Sequence, residues 1–123
     1  MYRVKAETVF STSHYLKDYP GKCANLHGHN WKVVVEIEGE KLDKLGMLVD
    51  FKELKSAIDE IAEQLDHGVI NNHPYFKNNN INPTAENIAY FFYKKLKNKF
   101  HPNRLSKVEV YETDKYVATY LPD

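Results

Sequence analysis

Residues His27–Gly39 read HGHNWKVVVEIEG, and the period of this stretch decides the fold. His27, His29, Trp31, Val33, Val35 and Ile37 fall on one parity, while Asn30, Lys32, Glu36 and Glu38 fall on the other. Side chains alternate across a strand, so the pattern predicts a strand with one apolar and one polar face. The apolar face begins with two histidines. Upstream, residues 2–10 repeat the alternation, with Tyr2, Val4, Ala6, Thr8 and Phe10 in phase. If the two strands form a hairpin, FSTSH (Phe10–His14), with His14 just past the first strand, faces HGH (His27–His29).

Downstream the period changes. Asp50 can cap a helix, and Glu53 three residues later completes the acidic version of a capping box. Phe51, Leu54, Ile58, Ile61 and Leu65 recur at three- and four-residue spacing, which predicts an amphipathic helix with Gly68 as its stop. A second helix opens after Pro83 with Thr84 as N-cap. Ile88, Phe91, Phe92, Leu96 and Phe100 supply its buried face, and His101-Pro102 ends it. Between the helices, NNHPYFKNNNINP (residues 71–83) is rich in turn formers and reads as a long irregular loop. Val108, Val110 and Glu112 then share one face of LSKVEVYET, and YVATYL follows an Asp114-Lys115 turn. The order is ββααββ, an α+β layer arrangement, in one domain spanning residues 1–123.

Composition narrows the function. Lys and Arg together number 17, as do Asp and Glu, so no global field favours nucleic acid or an anionic membrane. The one cysteine cannot form an internal disulfide, which fits a reducing cytoplasm. The N-terminal MYRVKAETVF lacks a continuous apolar segment and does not read as a signal peptide. The apolar run IAYFFY (residues 88–93) is too short to span a bilayer. A cytoplasmic domain with no nucleic-acid or membrane partner is expected.

Chemistry concentrates in a few residues. His27 and His29 lie two apart on a strand, so both imidazoles point to one side and can grip a single metal ion. Catalytic zinc takes three protein ligands and keeps a position open, and His14 is placed to be the third. Exposed histidines in a turn are the bland alternative. Cys23 has three readings: a small buried hydrophobe, a fourth ligand closing a structural site, or a thiolate base. Asp66-His67 reads either as a helix C-terminus with its favourable imidazole, or as a carboxylate orienting a catalytic histidine. Glu112 falls on an apolar face, where a carboxylate needs a partner unless the strand has already emerged into solvent. Thr84 is first of all a helix cap.

The motifs FSTSH, CANLHGHN, GMLVDF, LDH, NPTAEN and VYET run through the whole chain. In order and spacing they resemble the 6-pyruvoyl-tetrahydropterin synthase family, most closely its 6-carboxy-5,6,7,8-tetrahydropterin synthase branch. One departure is Thr12, where the family usually has alanine. The resemblance implies a tunnelling fold, with an antiparallel sheet and two helices on one face. Such subunits assemble into closed oligomers, commonly hexamers, with active sites between subunits. It implies zinc on His14, His27 and His29, and Cys23 as catalytic base. It implies Asp66 and His67 in proton relay, with Glu112 anchoring the pterin and sharing in that relay. Thr84 would lie at the pterin pocket.

The implied reaction converts 7,8-dihydroneopterin triphosphate to 6-carboxy-5,6,7,8-tetrahydropterin, releasing acetaldehyde and triphosphate, in queuosine biosynthesis. No redox cofactor is needed, because the ring is reduced by internal tautomerisation. Three residues separate Cys23 from His27, as in the carboxy-forming branch. The pyruvoyl-forming animal enzymes have a longer spacer. The alternatives are triphosphate elimination alone, or a non-catalytic zinc-binding protein of the same fold. Lys22, Lys32 and Lys115 are candidates for the triphosphate by charge and neighbourhood.

Overall fold

The alternation in the two N-terminal segments becomes one long hairpin. A computed structural model describes residues 1–123. Strands β1 (Tyr2–His14) and β2 (His27–Gly39) pair antiparallel from Tyr2 opposite Gly39 to His14 opposite His27. β1 therefore runs farther than the alternation of residues 2–10 suggested, and His14 is its last residue rather than one beyond it. The chain continues through α1 (Phe51–Glu63), α2 (Pro74–Asn78), α3 (Ala85–Leu96), β3 (Arg104–Thr113) and β4 (Tyr116–Tyr120). The four strands form one antiparallel sheet in the order β1-β2-β3-β4.

The sheet has one covered face. Trp31, Val33, Val35 and Ile37 of β2 are completely buried, with Val108 and Val110 beside them on β3. Leu54, Ile58 and Ile61 of α1 and Ile88, Phe91 and Phe92 of α3 join them in one apolar core. Burying each such side chain contributes about 1.5–3 kcal/mol, so the core supplies most of the drive to fold. The other face carries ion pairs. Glu38 receives Arg3 at 3.3 Å and Arg104 at 2.9 Å. Glu36 is buried there beside a register shift and accepts a 2.7 Å hydrogen bond from the Ser106 hydroxyl. No helix is long and apolar enough to cross a membrane.

Five expectations need correction. Phe51 does not join the buried stripe of α1 but is 61% exposed. It lines an outer groove with Lys55 and Asp59, so its i, i+4 ridge faces water while Leu54 starts the buried one. Gly68 does not stop α1: the helix ends at Glu63, and His67 takes the left-handed conformation at φ 55°. The asparagine-rich stretch is not wholly irregular. It holds a short turn at Ile70–Asn72 and then α2, which His73 caps through its ring and Pro74 starts. Phe100 lies beyond α3, which ends at Leu96 before reaching His101-Pro102. Asp50 and Thr84 both cap their helices, accepting from the Lys52 and Asn87 amides, but Asp50 takes the amide of the second helical residue and not that of Glu53, as the expected capping box would have it.

Candidate active site

The open end of the β1–β2 hairpin brings the histidines together. His14 sits directly opposite His27, and Thr12 opposite His29, so one face receives all three imidazoles. One ligand atom from each lies within 4.8 Å of the others. Trp31 forms the floor, its ring 4.9 Å from that of His14 and 5.3 Å from that of His29. The Trp31 indole N–H donates to the Thr12 carbonyl across the hairpin.

Backbone carbonyls fix the ring tautomers. His14 Nδ1 lies 2.8 Å from the Pro83 carbonyl and His27 Nδ1 lies 2.7 Å from the Asn25 carbonyl. A carbonyl only accepts, so both Nδ1 atoms carry hydrogen and both Nε2 atoms keep a lone pair in the neutral ring. Burial lowers the pKa of His14 and of His29 below the ordinary 6.5, which favours those neutral forms. Nε2 of His14 and Nε2 of His29 are buried without any hydrogen-bond partner. A buried unpaired polar group costs about 1–3 kcal/mol. Several lone pairs converging on one space are satisfied together by a cation. The residues present therefore fit a divalent metal held by three protein ligands.

Glu112 stands beside this cage. It occupies the register irregularity between Tyr111 and Thr113, and its carboxylate lies 3.5 Å from His29 Nε2. That geometry does not make a hydrogen bond, so His29 Nε2 remains free. Glu112 is neither sealed in the core nor fully in water: its side chain is 27% exposed. A half-open carboxylate next to the cage can accept paired N–H bonds from a heterocyclic ring edge.

Asp66 and His67 form a second cluster. Asp66 Oδ2 lies 2.8 Å from His67 Nδ1, and Asp66 Oδ1 accepts the Ser11 amide at 2.9 Å. The Ser11 amide, followed by the His67 ring, holds the Asp66 carboxyl below its ordinary value of 3.8. The His67 amide in turn donates to the Ser11 carbonyl at 2.6 Å. A non-glycine residue in the left-handed region costs about 1–3 kcal/mol, and these bonds to β1 hold it there. His67 is consequently presented to solvent with its ring oriented. An open cleft of about 460 Å³, lined by Ser11, Ser13, His29, Asn30, His67 and Gly68, connects this pair to the cage.

The remaining candidates adjoin the cage through backbone. Cys23 is a free, half-buried thiol in a short 3₁₀ turn, Lys22–Ala24. Its thiol is outside the group of converging ligand atoms, which contains the three histidines alone. Thr84 caps α3 with its hydroxyl and follows Pro83, whose carbonyl holds His14. The Asn25 and Pro83 carbonyls were not foreseen. They act through backbone, and no residue-type signal marks them.

The family described as 6-pyruvoyl tetrahydropterin synthase matches residues 3–123. The chain belongs to that family. Its α+β architecture is the family's tunnelling fold. The human 6-pyruvoyl tetrahydrobiopterin synthase is 36% identical over 96% of this chain and 90% of its own. The 6-carboxy-5,6,7,8-tetrahydropterin synthase of Haemophilus influenzae is 31% identical over 98% and 99%. The structure of the Caenorhabditis elegans 6-pyruvoyl tetrahydropterin synthase superposes with TM-score 0.80 at 32% identity, covering 100% of this chain and 98% of that one. The chain is thus a tetrahydropterin synthase family member with a three-histidine site able to hold a metal.

Proposed function

We propose that residues 1–123 act as a single zinc-dependent pterin synthase domain. Its reaction takes 7,8-dihydroneopterin triphosphate and water to 6-carboxy-5,6,7,8-tetrahydropterin, acetaldehyde and triphosphate, in the cytoplasmic steps of queuosine biosynthesis. The observation that carries the reading is the pair of buried, partnerless Nε2 atoms at the hairpin end, beside a half-exposed carboxylate. The short Cys23–His27 spacer favours the carboxy-forming branch. Identity to both named branches is similar, so the spacer and not the identity carries that choice.

His14, His27 and His29 would hold the zinc, which when bound supplies Lewis-acid polarisation of substrate oxygens. Glu112 accepts N–H bonds from the pterin edge and thereby places the substrate side chain over the cage. Cys23, as thiolate, removes a proton from a side-chain carbon. Triphosphate departs with the electron pair of its C–O bond. Asp66 fixes the His67 ring at Nδ1, so that Nε2 gives or takes the proton on the other side. Thr84 borders the pterin pocket. The sheet leaves β1 and β4 as edges, through which such subunits would close into an oligomer, with hexamers as the expected form and sites between subunits.

The test is anaerobic incubation of zinc-loaded protein with 7,8-dihydroneopterin triphosphate, followed by mass spectrometry. The expected products are 6-carboxytetrahydropterin and acetaldehyde. Accumulation of 6-pyruvoyl-tetrahydropterin would move the chain to the other branch, and intact substrate in the presence of bound zinc would overturn the lyase reading.

A further inference from the structure

The asparagine-rich stretch between α1 and α3 does more than connect them. Two of its side chains grip the chain where it leaves β1. Asn71 accepts the Tyr15 amide at 3.1 Å and donates to the Tyr15 carbonyl at 2.9 Å. Asn82 does the same two residues on, accepting the Lys17 amide at 2.9 Å and donating to the Lys17 carbonyl at 3.1 Å. A side-chain amide matches a backbone amide in donor and acceptor, so each residue mimics one rung of a β-ladder. Between them, the Leu16 amide donates to the Cys23 carbonyl at 2.8 Å. The clamped segment therefore has His14 immediately before it and the Cys23 turn bonded to its middle.

Asn82 also reaches the cage from its other side. Its neighbour Pro83 offers the carbonyl that receives His14 Nδ1 at 2.8 Å. The Asn82 carbonyl is itself held by the Asn87 side chain, at 2.9 Å, from the first turn of α3. One residue thus joins three parts: the ring of a candidate ligand, the segment that supports Cys23, and the start of a buried helix.

We propose that Asn82 is a positioning residue that holds the His14 imidazole and the Cys23 turn in fixed relation to each other. The proposal rests on the reading of His14 as metal ligand and Cys23 as base. Hydrogen-bond partners behind a ligating histidine typically carry about 10–100-fold of metal affinity. Asn82→Ala removes both bonds to Lys17, and with them the tie between β1's exit and the loop that carries the Pro83 carbonyl. It also leaves the segment bonded to Cys23 clamped by Asn71 alone, so that the half-buried thiol becomes more accessible.

The experiment measures two properties that need no substrate. One is zinc affinity of the full chain by competition with a chromogenic chelator. The other is the alkylation rate of Cys23 by iodoacetamide in the zinc-loaded protein. Asn82→Ala is expected to weaken zinc binding by about 10–100-fold and to speed alkylation together. Asn82→Asp retains the acceptor for the Lys17 amide and is expected to lie between, which keeps the test open if the alanine variant fails to fold. Asn79→Ala is the comparison, because Asn79 donates only to the Tyr75 carbonyl within the same stretch. It is expected to change neither property. Unchanged zinc affinity and alkylation in folded Asn82→Ala or Asn82→Asp would overturn the proposal, as would equal changes in Asn79→Ala. If the wild-type chain shows no turnover while both properties shift as expected, the catalytic reading fails and the clamp on His14 and Cys23 stands.

Discussion

Two parts of β2 share one face and one period yet do opposite things. From Trp31 to Ile37 the face is apolar, buried under α1 and α3, and carries no unpaired polar atom. At His27 and His29 the same face turns to imidazole, and the cage includes two buried nitrogens with nothing to bond. Extending the apolar pattern would have been the stable choice, because it costs no desolvated lone pairs. The hairpin end gives up that stability to keep donor atoms converged, two of them buried. Trp31 marks the boundary: its ring packs on the histidines, and its indole N–H ties the two strands just below them.

That contrast can be broken from either side. The largest effect is expected from the cage. His14→Ala removes one of three converging ligands, so stoichiometric zinc is lost and turnover falls to background, as read by elemental analysis and a product assay. Asp66→Asn comes next. It changes the carboxylate that orients the His67 ring at 2.8 Å and should lower turnover by about 10²–10⁴-fold while zinc content holds. A variant of the apolar half should do the reverse. Leu54→Ala, at a fully buried site, is expected to cost about 2–5 kcal/mol in urea unfolding and leave zinc affinity of the folded chain unchanged.

The smallest effect is with pH. Burial lowers the folded-state pKa of His14, His29 and His73 from 6.5. The unfolded chain then binds more protons than the folded one just below pH 6.5, so stability rises with pH in that window. Metal-free protein should therefore lose stability as pH falls below 6.5, levelling once the lowered native values are passed. Urea midpoints at a series of pH values would show it. A flat profile would mean that the rings are not desolvated as described.

How much of this was legible depends on which atoms do the work. Side-chain period revealed the two strands and put His27 and His29 on one side, because that follows from spacing alone. The pairing that sets His14 opposite His27 was legible only on the assumption of a hairpin, and the full length of β1 was not. The caps at Asp50 and Thr84 were legible from local sequence. Phe51 was misplaced because positions i+3 and i+4 diverge to opposite sides of its ridge, and spacing does not say which is wet. Gly68 was read as the stop of α1, because glycine commonly follows a helix end in the left-handed conformation. His67 takes it instead, held by bonds to Ser11 that lie far away in sequence. The asparagine run shows the limit most clearly. Composition marked turns, whereas Asn71 and Asn82 spend their amides on β1's exit, a contact invisible without the tertiary structure.

The measurement closest to the central claim is the zinc content and turnover of Cys23→Ala. The thiol stands outside the converging ligand atoms, so the three-histidine account predicts full zinc with turnover lost. Release of zinc together with loss of folding stability would contradict it, and would make Cys23 the fourth ligand of a structural site.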